Sequence, residues 1–397
     1  MKFLHTGDWH VGRTIRGRPR DDEHRAVLGE IAAVAADEQV ELILVAGDIF
    51  DTAAPAPAAE EIVYRALLDL ASVAPVVIVA GNHDSPARLR AVAPLLELGR
   101  VTVCASVQRP DQGGAITIGG LPARIALIPF IGKRGIVRVE EILSLDTPDL
   151  IGEYADRVER IVTALCRDMT SDTVNIVLGH LMVLGGETGG GERTAHLFDY
   201  AISALAFPGH LSYVALGHLH RPQRVPAPAP VWYSGSPLQL DFGEGEDRKA
   251  VVLVEAEPGL PARVETRFLS AGRRLRTVRG TLADIAAIAS GLGASGLGAS
   301  GLGNDYLRVE LEEMARVGLA EEVRDLLPEA VEIRLATSDL AGGSASPPRR
   351  LGRDPGELFR EYLAYRRIDD PKLVAFFDEL VAASHETDGP GADGYAT

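Results

Sequence analysis

Five short motifs of the sequence place an acidic, amide or imidazole side chain directly after a glycine. Asp8 and His10 stand two residues apart, and His218 and His220 repeat this spacing. On an extended segment, residues two apart point to the same side and can bind one ion. The motifs contain seven candidate metal ligands: Asp8, His10, Asp48, Asn82, His180, His218 and His220. A single Gly-Asp or Gly-His pair is common in turns, so the prediction depends on all five motifs together.

The mixture of oxygen and nitrogen ligands favours manganese, iron or zinc over calcium, which prefers oxygen ligands alone. Seven ligands are too many for one tetrahedral ion, so we expect two divalent ions with Asp48 bridging them. Two such ions are a general arrangement for cleaving phosphate esters, because they neutralise the phosphate and activate a bound water. His83, beside Asn82, is not needed as a ligand and could act as a general acid, with Asp84 orienting its ring.

Short apolar, β-branched runs precede the five motifs and read as buried strands. These runs are Lys2–Thr6, Val40–Ala46, Val76–Ala80, Thr173–Leu178 and Tyr213–Leu216. Helical patterns lie between several of them, at Glu23–Glu38 and Ala59–Leu70. The alternation predicts a layered α/β domain, in which sites form beyond the carboxyl ends of the strands. The candidate ligands stand at such ends.

The later part of the sequence has a different pattern. Strand-like segments without long helices between them suggest a second, partly antiparallel sheet: Ile125–Pro129, Val231–Ser234, Ala250–Glu255 and Arg263–Leu269. From residue 272, strands at Leu275–Val278, Asp305–Leu311 and Val331–Ala336 alternate with helices at Leu282–Ala289 and Leu319–Leu327, which predicts a small βαβαβ cap. We therefore expect a catalytic domain at 1–271, a cap at 272–340 with a Gly-rich, disordered repeat at 290–303, a linker at 341–354, helices at 355–383 and a disordered tail at 384–397.

The composition limits how the protein could bind nucleic acid. A formal net charge of −16 argues against coating DNA through bulk charge, so local basic patches are needed. The candidate DNA-binding residues beside the ligand motifs are Arg13, Arg16, Arg18, Arg20 and Arg221, with a further group at Lys133, Arg134 and Arg138. Two cysteines cannot build a disulfide framework, and no apolar run approaches the roughly 20 residues of a membrane span. We expect a soluble, cytoplasmic protein.

The C-terminal region has two helix start signals, at Asp354-Pro355 and Asp370-Pro371. Each is followed by apolar residues at helical spacing: Leu358, Phe359, Tyr362, Leu363, Leu373, Phe376, Phe377 and Leu380. An apolar stripe on a tethered helix must be buried against something. It could dock on the chain's own cap or on a partner protein.

The five motifs resemble those of the calcineurin-like metallophosphoesterases. They read Asp8-Trp9-His10, Gly47-Asp48-Ile49-Phe50-Asp51, Gly81-Asn82-His83-Asp84, Gly179-His180 and Gly217-His218-Leu219-His220. Three longer stretches resemble the SbcD family of nucleases, which is related to the Mre-type nucleases: Leu4 to His10, Tyr213 to Gln223, and Tyr233 to Leu238. The match continues through Asp241 to Glu244 and Lys249. The Gly-rich repeat is a departure from the family pattern.

The resemblance implies a layered αββα core with manganese as the cofactor. It assigns Asp8, His10, Asp48 and His220 to the first ion, and Asp48, Asn82, His180 and His218 to the second, with His83 catalytic. It further implies 3′-to-5′ exonuclease activity on duplex DNA and endonuclease activity on single strands or hairpins, in DNA repair, recombination and replication. The C-terminal helices would bind an SbcC-like coiled-coil ATPase, and two copies of the nuclease would pair within a heterotetramer.

Two other functions remain open from the sequence. A metal-dependent phosphatase or cyclic-nucleotide phosphodiesterase could have the same core, but it would have less use for the cap and the C-terminal helices. A non-enzymatic scaffold on a degenerate core would be expected to lack ligands, and none of the seven is missing.

Overall fold

The computed structural model describes residues 1–132, 135–136, 139, 143, 154–189, 200–290, 303–336, 359–360, 363–364 and 371–377. The chain divides into two compact units, Met1–Leu275 and Arg276–Thr397. The predicted linker and tail, and most of the Gly-rich repeat, lie outside the described residues. The domain boundaries given above therefore stay predictions.

The described elements of the first unit follow one another in a mostly alternating order. They are β1 (Lys2–Thr6), β2 (Thr14–Ile15), β3 (Arg18–Pro19), α1 (Asp21–Asp37), β4 (Leu42–Val45), α2 (Pro57–Val73), β5 (Val76–Val79), α3 (Pro86–Leu98), β6 (Val101–Cys104), β7 (Ala115–Thr117), β8 (Ala123–Ile128), α4 (Tyr154–Cys166), β9 (Val174–His180), β10 (Met182–Val183), β11 (Ala201–Ile202), β12 (Tyr213–Gly217), β13 (Gln223–Val225), β14 (Val231–Tyr233), β15 (Ala250–Glu255) and β16 (Arg263–Phe268). Short 3-10 helices occur at Pro110–Gln112, Ala204–Ala206 and Phe242–Glu244.

Two six-stranded sheets form the centre of this unit, in the orders β16-β15-β1-β4-β5-β6 and β13-β14-β12-β9-β8-β7. The strands β1, β4, β5 and β6 run parallel, as do β8, β9, β12 and β14. The outer strands β15, β16, β7 and β13 pair antiparallel. The parallel strands therefore bring their carboxyl ends to one edge of each sheet.

Alternating side chains of the strands pack into different layers of the unit. In β4, Leu42 and Leu44 pack between the two sheets, while Ile43 and Val45 pack under α1, α2 and α3. The second sheet repeats this arrangement, with its outer face covered by α4. Because both faces of the central strands are buried, strands such as β4 and β5 contain only apolar residues. The predicted layered αββα core is confirmed.

The grouping of strands predicted for the second sheet is wrong in part. The segments 250–255 and 263–268 form β15 and β16, but these join the first sheet, where β15 pairs antiparallel with β1. The second sheet instead contains β9 and β12, which the alternating pattern groups with the parallel strands of the first. Local patterns identify a strand, whereas pairing depends on which strand edge lacks a hydrogen-bonding partner, and β1 offers such an edge to β15.

The second unit contains α5 (Leu282–Ala289), β18 (Tyr306–Leu311), α6 (Leu319–Leu326) and β19 (Ala330–Leu335), and it is preceded at the boundary by β17 (Leu275–Gly280). The strands form one three-stranded sheet in the order β17-β18-β19. Thr281 caps α5 through a reciprocal pair of hydrogen bonds with Asp284. The elements lie within a few residues of those predicted from the sequence.

The described parts of the C-terminal region, 359–360, 363–364 and 371–377, are helical. The rings of Phe359 and Phe377 stack with their centroids 4.1 Å apart, and Leu363 is buried. Leu373 and Phe376 keep 41% and 58% of their surface exposed. Leu358, Tyr362 and Leu380, which are also predicted to bind a partner, lie outside the described residues. No helix in the described part of the chain has the length and apolar character needed to cross a bilayer.

Candidate metal centre

The five Gly-containing motifs converge at the carboxyl ends of β1, β4, β5, β9 and β12. Four of the seven predicted ligands have a left-handed backbone, with φ of 49° at Asp8, 47° at His10, 49° at Asp48 and 105° at His218. Such conformations in residues other than glycine cost of order 1–3 kcal/mol each and cluster at functional sites. Backbone hydrogen bonds between the motifs hold them in place: the amide of Asp8 donates to Gly47 O at 2.9 Å, and that of His10 to Asp48 O at 3.0 Å.

Asp8, His10 and His220 form the first cluster, with one ligand atom of each within 4.8 Å of the others. His10 Nε2 is 3.6 Å from Asp48 Oδ2, so the fourth residue of this set is adjacent. This nitrogen is buried and has no hydrogen-bond partner among the described residues. A buried nitrogen without a partner is unfavourable in an empty site and is expected in a metal ligand.

Asn82, His180 and His218 form the second cluster. Asn82 Oδ1 is 2.9 Å from His180 Nε2 and 2.9 Å from His218 Nδ1, and the two nitrogens are 3.3 Å apart. His180 donates its Nδ1 proton to the carbonyl of Ala46 at 2.8 Å, so its Nε2 carries a lone pair. That lone pair faces the Asn82 oxygen, an arrangement that a cation between the two atoms stabilises.

Asp48 lies between the two clusters. Its Oδ1 accepts a hydrogen bond from the backbone amide of His83 at 2.8 Å. Its Oδ2 is 3.6 Å from His10 Nε2 and 3.5 Å from His180 Nε2. One carboxylate oxygen therefore faces one histidine of each cluster, which is the placement expected of a bridging ligand.

The electrostatics of the cluster favour the protonation states that bind metal. Burial lowers the pKa of His10 and His180, and burial together with the nearby His180 lowers the pKa of His218 to about 3. Burial alone would raise the pKa of Asp48, but the neighbouring imidazoles of His180 and His10 outweigh it and bring that pKa to about 2. At neutral pH the rings are therefore neutral and the carboxylate is ionised, as metal ligation requires. The donor set and geometry fit a divalent metal site.

His83 stands at the rim of this cluster, with its ring centroid 4.7 Å from that of His10. Its Nδ1 is 2.7 Å from the backbone carbonyl of Asp51, to which it donates a hydrogen bond. With Nδ1 so engaged, Nε2 is the nitrogen available to a substrate. His10, Asp48 and His83 also bring ligand atoms within 4.8 Å of one another, so the geometry by itself permits ligation by His83 as well.

The role predicted for Asp84 is wrong. Its carboxylate is buried and accepts hydrogen bonds from the amides of Gly81, Phe50 and Ile49, at 2.8, 3.1 and 3.4 Å. It thus ties the Asp48 motif to the Asn82 motif, and the group that orients the His83 ring is the carbonyl of Asp51. Burial and the charge of Asp48 raise the pKa of Asp84 to about 7. Asp84 follows His83 directly in the sequence, which suggests a contact between them, but the turn points the Asp84 carboxylate at these three backbone amides.

Two glycines are required by close approach between the motifs. A Cβ atom at Gly81 would overlap the Asp48 carboxylate, and one at Gly217 would overlap the carbonyl of Ala46. Neither position has a positive φ, so the restriction is steric. The glycines before the ligands therefore allow neighbouring strand ends to approach closely enough for their ligands to meet.

The predicted DNA-binding arginines have different environments. Arg13 donates to Asp51 Oδ1 at 3.2 Å, and Asp51 Oδ1 is also 3.3 Å from His10 Nδ1, so Arg13 stands close to the first cluster. Arg16 and Arg18 are exposed in the loop formed by β2 and β3. Arg20 corrects the prediction: it is buried and donates to Glu23 and to the carbonyl of Gln239, so it cannot reach a phosphate of DNA.

Arg221, the fifth candidate, follows His220 and is partly exposed. Its guanidinium forms ion pairs with Glu187 at 2.8 Å and Asp247 at 2.9 Å. Lys133, Arg134 and Arg138, the further basic group, lie outside the described residues.

Two features of the site are missed by reasoning from the sequence. Glu244 is fully buried with Oε1 2.9 Å from His220 Nδ1, and Lys249 Nζ donates to Glu244 Oε2 at 2.7 Å. Phe130, after β8, lies with its ring nearly parallel to that of His218, at 6.2 Å between centroids and 24° between planes. The resemblance to the SbcD family includes Glu244 and Lys249, but nothing in the sequence indicates that they lie against His220.

Comparisons with known proteins found a matching family model, related sequences and a solved structure. The family model for calcineurin-like phosphoesterases matches residues 1–222. The chain is 35% identical over 289 residues to the SbcD subunit of the SbcCD nuclease from Bacillus subtilis, covering 69% of this chain and 71% of that protein. It is 36% identical to the protein of that name from Rhodobacter capsulatus, covering 66% and 68%, and 31% identical to that of Escherichia coli, covering 72% and 73%. Among solved structures, a dimetal phosphatase from Danio rerio aligns with a TM-score of 0.40 at 13% identity, covering 68% of this chain and 96% of that one.

Proposed function

The chain belongs to the calcineurin-like phosphoesterases, in the SbcD family of nucleases, and on this premise we propose that it cleaves DNA with two manganese ions. It is a metal-dependent DNA nuclease of the SbcCD type, a hydrolase of phosphodiesters.

The proposal of two ions rests on the position of Asp48 Oδ2. It faces His10 on one side and His180 on the other at nearly equal distances, 3.6 and 3.5 Å. Asp8 and His220 complete the set on the His10 side, and Asn82 and His218 complete it on the His180 side. We infer that Asp48 would be a ligand of both ions, and that three further residues would hold each of them. The mixture of oxygen and nitrogen donors suits manganese, iron or zinc, and the resemblance to the SbcD family favours manganese among them.

In the proposed mechanism, the bound ions would supply charge neutralisation of the phosphate and a lowered pKa for the attacking water. The chain's own residues position the reacting groups. His83 stands at the rim with Nδ1 donating to the Asp51 carbonyl, which fixes the ring and directs Nε2 away from that bond. We assign to His83 Nε2 the proton that the leaving 3′ or 5′ oxygen requires. We propose that Arg13, which donates to Asp51 at the edge of the first cluster, contacts a neighbouring phosphate.

A DNA substrate is favoured over a small phosphate ester by the rim of the site. Arg16 and Arg18 are exposed on the two-stranded loop that follows the Asp8 motif, and such side chains can contact phosphates that lie beyond the scissile one. Against a net charge of −16, cationic residues next to the metal ligands give the local attraction that a DNA strand needs. We propose 3′-to-5′ exonuclease activity on duplex ends and endonuclease activity on single strands and hairpins.

Parallel assays with DNA and with nitrophenyl phosphates test this function. We expect manganese-dependent cleavage of end-labelled hairpin and duplex DNA that stops with chelator and is absent in Asp48→Ala. Arg25→Gln is a matched control, since Arg25 is exposed on α1 and forms an ion pair with Asp22 at 2.8 Å, away from the metal centre. Hydrolysis of nitrophenyl phosphate far faster than that of DNA would instead support the phosphatase alternative.

We propose that the C-terminal helices bind an SbcC-like ATPase. Leu373 and Phe376 are exposed apolar side chains on residues 371–377, while Phe359 and Phe377 stack together. Exposed apolar side chains on a short helical segment are typical of a docking surface. A chain ending at Arg353 should keep manganese-dependent cleavage of short single strands and lose co-purification with the ATPase. Undiminished binding of the ATPase by the truncated chain would refute this assignment.

We also propose that the chain forms a homodimer. Leu95 and Leu98 on α3 are 71% and 85% exposed, which provides apolar surface for a second copy. Ile62, an apolar residue of the neighbouring helix α2, is buried in the core and cannot contribute to such a contact. Sedimentation should give a dimer at micromolar concentration and a shift towards monomer in Leu95→Glu. A monomer at every concentration would count against a stable dimer.

A further inference from the structure

His220 has an anionic partner inside the protein. Glu244 is completely buried, and its Oε1 lies 2.9 Å from His220 Nδ1. Its second oxygen, Oε2, accepts hydrogen bonds from Lys249 Nζ at 2.7 Å and from the amide of Leu240 at 3.0 Å. Oε1 of this carboxylate therefore faces the His220 ring, and Oε2 faces Lys249 and the Leu240 amide.

Lys249 completes the arrangement. Besides Glu244, its ammonium group donates to the carbonyl of His220 at 2.9 Å and to Ser236 Oγ at 3.0 Å. An ammonium group has three N–H donors, so these bonds use all of them. Lys249 thus holds both the backbone of His220 and the carboxylate that contacts its ring.

The segment carrying Glu244 is itself fixed. Asp241 caps the 3-10 helix Phe242–Glu244 by accepting a hydrogen bond from the amide of Gly243 at 2.9 Å. Gln239 Nε2 donates to the carbonyls of Gly245 at 3.0 Å and Asp247 at 3.1 Å. Bonds on both sides of Glu244 restrict where its carboxylate can point.

A buried ion pair such as Glu244–Lys249 contributes little to the net stability of a fold. Removing two charges from water costs several kcal/mol per ion, and apolar side chains of similar volume are often as stable or more so. Its placement against one candidate ligand suggests a different purpose. His180 donates to a neutral carbonyl, that of Ala46, whereas His220 has a carboxylate in the corresponding place.

We propose that Glu244 and Lys249 are positioning residues that hold His220 in the tautomer with its proton on Nδ1. An ionised carboxylate only accepts hydrogen bonds, so the ring nitrogen facing Glu244 must carry the proton. Nε2 then keeps its lone pair for the first metal ion, and the carboxylate fixes the orientation of the ring. This inference rests on the proposed function, in which His220 is a ligand of that ion.

Glu244→Gln gives a specific expectation. The amide oxygen of glutamine is required by the Lys249 and Leu240 donors, so its NH₂ group faces His220 Nδ1. The His220 ring must then accept at Nδ1 and carry its proton on Nε2, the nitrogen needed for metal. Affinity for the first manganese ion should fall by about 10- to 100-fold. Affinity for the second should change much less, because its ligands are untouched.

The matched control is Glu332→Gln. Glu332 in β19 also pairs with a largely buried cation, Arg308 in β18, at 2.8 Å, and both residues belong to the second unit. The same substitution there should destabilise the protein while leaving both manganese affinities and the His220 tautomer unchanged. Equal loss of affinity in both variants would mean that general destabilisation, and not positioning, is responsible.

The test combines manganese titration calorimetry with ¹⁵N NMR of the histidine rings in metal-free protein. We expect an Nδ1–H signal for His220 in the wild type and an Nε2–H signal in Glu244→Gln. An Nε2–H tautomer in the wild type would overturn the inference, and that measurement requires no variant to fold. Wild-type manganese affinity at both sites in Glu244→Gln would also overturn it. A wild type that binds no manganese would instead refute the proposed function, while the NMR result still decides the tautomer.

Discussion

Replacing Gly81 with alanine should weaken the metal centre although no ligand residue is substituted. The added Cβ would overlap the Asp48 carboxylate and come against the Asp48 amide, because these groups pack directly on Gly81. Gly81 has no positive φ, so alanine meets no backbone strain, and the whole effect is steric. The carboxylate must therefore move away from the point between His10 and His180.

The size of the effect follows from this overlap. Relief requires a displacement of about 1 Å, and misplacing a catalytic group by that distance can lower a rate by about 100-fold. Overpacking should also lower the free energy of unfolding by about 1–3 kcal/mol. Gly29→Ala is the control, since Gly29 lies on the exposed face of α1 with no atom within 4 Å of the added Cβ. It should be stabilising by about 0.5–1 kcal/mol and leave cleavage unchanged.

The assay is manganese titration with DNA cleavage, beside thermal unfolding of each variant. Gly81→Ala should remain folded, bind manganese more weakly at both sites, and cleave about 100-fold more slowly. Wild-type affinity and rate in folded Gly81→Ala would refute the placement of Asp48 between the clusters.

Three further predictions concern other parts of the chain. His83→Gln should retain both ions and lower cleavage by about 10²–10⁴-fold; metal analysis that finds ions lost would make His83 a ligand. Burial and the charge of Arg20 lower the pKa of His24 from 6.5 to about 4. The folded state therefore disfavours protonation of His24, and the neutral ring contributes about 3 kcal/mol to the free energy of unfolding. This contribution is complete above pH 6.5 and is lost as the pH falls to about 4. Urea unfolding of His24→Gln should show a shallower decline over that window, and an unchanged slope would contradict the assignment. Deleting Ser295–Gly303 should leave the melting temperature and cleavage rate near wild type, since loop length costs only about 0.6 kcal/mol per doubling; a large loss of either would mean that the repeat makes contacts.

The strands and ligands of the centre could be predicted because their signals are local. A run such as Leu42–Val45 is apolar since both of its faces are buried, and the residue type changes sharply after the strand, at Gly47 and Asp48. Parallel strands then bring Asp8, Asp48 and Asn82 to one edge without further information.

The features that could not be predicted depend on contacts distant in sequence. Arg20 looks like one member of a basic loop, but its guanidinium binds a carbonyl 219 residues away and is buried by it. Glu244 lies against His220 only in the folded structure, where β15 pairs with β1 and Lys249, just before β15, lies beside Glu244. Asp84 is adjacent to His83, yet the turn directs its carboxylate to three backbone amides. No periodicity or composition encodes these pairings.

The two-ion centre is the premise of the proposed DNA cleavage, and the anomalous scattering of manganese in crystals of the full chain tests it most directly. Two peaks are expected, one among Asp8, His10, Asp48 and His220 and the other among Asp48, Asn82, His180 and His218, with Asp48 touching both. A single peak, or peaks away from Asp48, would contradict the two-ion centre.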